Sequence, residues 1–172
     1  MLCSEIKTKE AKTMKLSKAT LWLKGVLGFS AVMLALVVFG GIPGYLRHVF
    51  HVRPDLIGWD YWMRGYGLLL ALPVWAALAL LWRVFDTIPQ NNGFTFDNVR
   101  RFVRMRQLAA ADLALVALLG IFLISNGITP AFLMGSLMLA LFVGIVAAIV
   151  FHVLAGLVRN AAELKQDSDM TI

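Results

Sequence analysis

Four stretches of this chain, at roughly 19–40, 66–84, 108–125 and 131–157, stay apolar for about the 20 residues that a helix needs to cross a hydrocarbon core of about 30 Å. A lipid interior tolerates only helices and closed barrels, because every backbone polar group must be satisfied without water. Runs of this length exceed a membrane strand, so the expected fold is all-α: an integral membrane four-helix bundle. With 60% hydrophobic and 15% charged residues among 172, one soluble core cannot hide the apolar surface, since about a third of an unfolded chain's surface stays wet at this size. The segments between spans are too short to bury cores of their own, and residues 1–172 read as one membrane domain. The first run is longer than the 7 to 15 residues of a signal-peptide core and lacks an A-x-A-like exit, so it is expected to be retained.

The basic residues sort by segment. Six lie before or at the start of span one (Lys7, Lys9, Lys12, Lys15, Lys18, Lys24), five between spans two and three (Arg83, Arg100, Arg101, Arg104, Arg106) and two in the tail (Arg159, Lys165). Only Arg47, Arg53 and Arg64 fall on the other side. Lys and Arg near span ends stay cytoplasmic, so both termini are expected inside. The formal charge of +6 then belongs to the inner face, which argues against direct nucleic-acid binding. Tyr45, Trp59, Tyr61, Trp62 and Tyr66 fit an outer aromatic belt, Trp22 and Trp82 an inner one. Pro73 predicts a kink in span two. Gly40 and Gly44 match GxxxG, but Pro43 between them points to a turn rather than a dimer seam.

Between spans two and three, Pro89, Asn91, Asn92 and Gly93 mark a turn, Thr95 suits an N-cap, and Asp97 suits the positive end of a helix. Phe96, Val99 and Val103 recur at helical spacing beside Arg100, Arg101, Arg104 and Arg106. A helix over 96–107 should therefore run as an amphipathic cytoplasmic extension into span three, up to Ser125. Phosphate headgroups of anionic lipid and an acidic protein surface both suit this row of arginines.

Two stretches resemble a family. Gly93-Phe-Thr-Phe-Asp-Asn98 with the Arg-rich helix, and the ending Ala161-Ala-Glu-Leu-Lys-Gln-Asp-Ser-Asp-Met-Thr-Ile172, are similar to the bacterial integral membrane proteins grouped as domain of unknown function 2975. Met170 stands where that family usually has Leu. The resemblance implies a small four-span membrane protein of unestablished activity, often encoded beside a small helix-turn-helix regulator. The shared layout of four spans with both ends inside covers nearly the whole chain, while the motif similarity covers about 25 residues and leaves out the basic tail before Thr20 and the outer loop.

Beyond the membrane, Leu154, Leu157, Val158, Ala161 and Leu164 extend an apolar stripe, with Arg159 and Glu163 at i,i+4. Asp167 and Asp169 follow; they either fray or dock on the arginine helix. Only two ionisable side chains, Asp112 and His152, fall well within the spans. Counted inwards from Arg106 and Arg159, at about 1.5 Å per residue, they lie at similar depths, and a shared inner-leaflet polar site is expected. A structural hydrogen bond and a proton- or ion-handling relay are both compatible with it. Ala140, Gly144, Ala148, His152 and Gly156 form an i+4 small-residue face, which should turn His152 towards protein. His48 and His51, with Asp55, are a weak metal set that the neighbouring cations disfavour.

No motif assigns a nucleophile, a metal or a phosphate loop, so no cofactor is implied. A transporter would ask more of the membrane interior than one acid and one His, and could form a pore only as a homo-oligomer. The remaining reading is a non-catalytic membrane protein that acts as sensor, tether or regulatory partner for a cytoplasmic protein, such as a small helix-turn-helix regulator.

Overall fold

The computed structural model describes residues 2–52, 54–88, 93–129 and 131–170. They form α1 (Leu2–Leu36), a π turn (Val37–Gly41), α2 (Ile42–Val52), a 3-10 turn (Pro54–Trp59), α3 (Asp60–Thr87), α4 (Phe96–Ser125) and α5 (Ala131–Met170). Four helices, within 18–51, 60–87, 96–125 and 133–167, are long and apolar enough to cross a membrane. The chain is an all-α, multi-pass membrane protein.

The first span does not end in a turn at Gly40. Proline lacks an N–H and its ring crowds the carbonyl four residues back. Ahead of Pro43 the helix widens into the π turn, in which the Ile42 N–H reaches back five residues to the Val37 carbonyl. The helix then resumes as α2, so most of the expected outer loop is helical. By contrast α3 passes through Pro73 as one element.

α4 holds the centre, packed against α3 on one side and, most extensively, α5 on the other, while among the described residues α1 makes close backbone contact only with α3 and the π turn. Lys24 pairs with Asp86 and lies 5.6 Å from the Trp82 ring, fixing α1 on α3. One buried cluster, Val84, Phe102, Met105, Ala155 and Val158, joins α3, α4 and α5 near the α3–α4 junction. A second, around Leu123 and Ile128, lies at the opposite end.

The α4–α5 turn shows why the two helices pair. Gly127 takes φ +67°, the Ile128 N–H bonds the Leu123 carbonyl at 2.9 Å, and the Gly127 N–H bonds that of Ile124 at 3.0 Å. This is a Schellman cap, in which glycine takes the left-handed position and the flanking Leu123 and Ile128 pack together.

Candidate functional site

The junction between α3 and α4 is built around Asn98. It is completely buried, one turn into α4, behind Thr95, whose carbonyl accepts the Asn98 and Val99 N–H groups at 3.0 and 3.2 Å. A buried amide must be hydrogen-bonded or cost stability. The Asn98 side-chain NH2 donates to the Thr87 hydroxyl at 2.7 Å and to the Gly93 carbonyl at 2.9 Å. Its Oδ1 accepts from Arg101 at 2.9 Å. Because arginine only donates, the amide orientation is fixed. Arg101 also donates to the Arg83 carbonyl at 3.1 Å, just before the last turn of α3, and Thr87 donates to the Val84 carbonyl at 2.7 Å. The network ties the end of α3, Gly93 and the start of α4 together.

The arginine row is therefore divided. Arg101 and Arg106 are half-buried ties, whereas Arg100 and Arg104, four residues apart, are exposed. Arg100 stands 3.9 Å from the equally exposed Asp97, a pairing worth little in solvent. The apolar face of α4 is also one step from the expected one: Phe96 is exposed, and the buried residues are Asn98, Phe102, Met105, Val116 and Leu123. Val99 and Val103 flank that face, packed against the cluster.

The ionisable groups of the spans are separated. Arg106 approaches His152 Nδ1 at 2.9 Å, and a Cβ on Gly144 would lie 3.2 Å from Leu113 Cγ. With Arg106 level with His152 and Leu113 with Gly144, Asp112 is level with about residue 145, roughly 10 Å along the axis from His152 at 1.5 Å per residue. The expected pairing of Asp112 with His152 is thus replaced by Arg106 with His152. Arg106 and Arg159, the reference points for equal depth, are themselves offset by about two turns. Among the described residues, Asp112 Oδ1 is buried with no hydrogen-bond partner.

The small-residue face is likewise corrected. Steps of four advance about 40° beyond a full turn, so the stripe precesses around α5. Gly144 and Ala148 stay at the seam, Ala140, His152 and Gly156 are exposed, and the buried residues further along are Ala155, Val158 and Ala162. Leu157 and Leu164 of the tail stripe are exposed, while Arg159 and Glu163 pair at 2.9 Å.

Asp167 lies on α5 beyond the level at which α4 begins, about 13 Å along the axis past the residues facing Arg100. His48 and His51 are exposed on α2; the side chains of Asp55 and Asp169, and those of the lysines before Lys18, lie outside the described residues. Of the outer aromatics, Tyr61 and Trp62 point outward, whereas Tyr66 turns inward and donates to the Leu115 carbonyl at 2.7 Å. Trp22 and Trp82 are exposed.

In sequence Asn98 stands out only as part of the Gly93–Asn98 motif. Its spacing from Phe102 and Met105, i, i+4 and i+7, was the available sign of a buried polar residue.

No curated protein and no solved structure matches this chain. The profile of the family described as "Protein of unknown function (DUF2975)" matches residues 6–172, taking in the basic tail and the α1–α3 connection as well as the two resembling stretches, and the chain belongs to that family.

Proposed function

We propose that this is a non-catalytic membrane protein that holds a cytoplasmic regulatory protein at the inner face of a bacterial cytoplasmic membrane, as a sensor or tether. One observation carries the reading: the Asn98 and Arg101 network immobilises the start of α4 while Arg100 and Arg104 remain exposed on the same helix. A rigid pair of guanidinium forks, about 6 Å apart at the Cβ atoms, suits a partner surface carrying two spaced carboxylates. The positive-inside bias puts this surface and both termini in the cytoplasm. The family resemblance makes a small helix-turn-helix regulator the partner of choice.

The test is a pull-down from detergent extracts, with and without added anionic lipid. The parent protein is expected to retain a cytosolic partner that the Arg100→Glu/Arg104→Glu double variant loses and Arg47→Glu keeps. Retention by all three, or capture of anionic lipid alone, overturns the proposal.

A further inference from the structure

A cavity of about 540 Å³ lies between α2 and α5, towards the end of the molecule that carries the α4–α5 turn. Its wall is apolar: Leu46 and Val49 of α2, Leu70 of α3, Leu119 and Leu123 of α4, and Leu133 of α5. Among the described residues, α2 closely approaches α3 and its flanking turns but not α5. The cavity occupies the place where those two helices would otherwise pack. The π turn contributes to it through Val37 and Gly41.

Protein interiors are close-packed, with few voids larger than a water molecule. Apolar voids stay dry and take up apolar ligands, as a cavity of about 150 Å³ does with benzene. This one is more than three times larger, which by the same measure is room for about twenty carbons. Two of its polar side chains are turned to the protein: Tyr66 donates to the Leu115 carbonyl and Ser136 to that of Leu133. The described lining holds no Lys, Arg or His to receive the carboxylate of a free fatty acid. It reaches Ile128, beside the turn, where a chain whose headgroup stays at the interface can enter.

We infer that this cavity is a binding site for one acyl chain of a bilayer phospholipid, which completes the packing between α2 and α5. The site is independent of the arginine surface.

The experiment uses the full chain in nanodiscs doped with a phospholipid bearing a diazirine in mid-chain, with crosslinks mapped by mass spectrometry. Capture is expected to favour Leu119 and Leu123 over Leu118, Ile121 and Ile124, exposed on the same helix, by about tenfold. Leu133→Trp should abolish capture at Leu119 and Leu123 and leave the outer positions unchanged; Ser136→Phe serves if that variant does not fold. Uniform labelling along α4, or labelling untouched by either filling variant, overturns the site. Stronger capture of a diazirine fatty acid than of the phospholipid overturns the assignment of its ligand.

Discussion

Arg106 and His152 are joined across the α4–α5 seam by a hydrogen bond of 2.9 Å from the guanidinium to Nδ1. Arginine only donates, so Nδ1 accepts and the proton of the neutral ring is on Nε2. Membrane-embedded polar pairs contribute about 0.6 kcal/mol on average and at most about 1.7. A double-mutant cycle of Arg106→Gln and His152→Gln, read by unfolding in detergent micelles, should return a coupling in that range. Strict additivity would remove the pair as a structural tie.

Asp112 should behave differently. An acid deep in a span costs about 2.5 to 3.5 kcal/mol on insertion scales, and Oδ1 has no hydrogen-bond partner among the described residues. Asp112→Leu is expected to stabilise the protein by about 2 kcal/mol. A loss of stability would show that the carboxyl is engaged in the native membrane.

The Asn98 amide makes the largest expected contribution of any single polar side chain. Asn98→Ala orphans the Gly93 carbonyl and one bond each of Thr87 and Arg101, and should destabilise by about 2 to 4 kcal/mol. Arg101→Gln should cost less, about 1 to 2 kcal/mol. Thermal melts in detergent that rank the two variants the other way would refute this hierarchy.

Two glycines of α5 should respond with opposite signs. At Gly144 a larger side chain meets Leu113, so Gly144→Leu is expected to cost about 1 to 3 kcal/mol by overpacking. At Gly156 a Cβ meets nothing within 4 Å, so Gly156→Ala should gain about 0.5 to 1 kcal/mol through helix propensity. Melting temperatures that move in the same direction would mean that the seam is not where α5 places it.

Orientation can be read with the one cysteine. Cys3 should react with a membrane-impermeant maleimide in inverted vesicles and not in intact cells. In a Cys3→Ser background, Thr129→Cys should show the reverse. Labelling of Cys3 in intact cells would invert the topology and remove the cytoplasmic setting of the arginine surface.

The four helices were legible because apolar length is a property of composition over about 20 residues, insensitive to small errors of boundary or face. Helix 96–125 was predicted at both ends, from a turn before it and a break after it. Relations between helices were not legible. Arginines are poor markers of depth, because Arg106 and Arg159 have long side chains and mark no common plane. The stripe from Ala140 to Gly156 kept its spacing in sequence and lost its direction in space. Pro43 signals a disturbance, and only the backbone decides between a turn and a π widening. The cavity has no signature in sequence, since its wall is made of the residues that elsewhere form core.

The Asn98 network has a consequence for synthesis. Its members lie between Arg83 and Arg101, so every partner is synthesised before α5 begins, and the loops it closes are short. The α3–α4 hairpin can therefore be sealed while the chain is still being made. The His152 tie and the far wall of the cavity must wait for the last forty helical residues. The final helix arrives at a prepared hairpin, and its register is set by docking on that template.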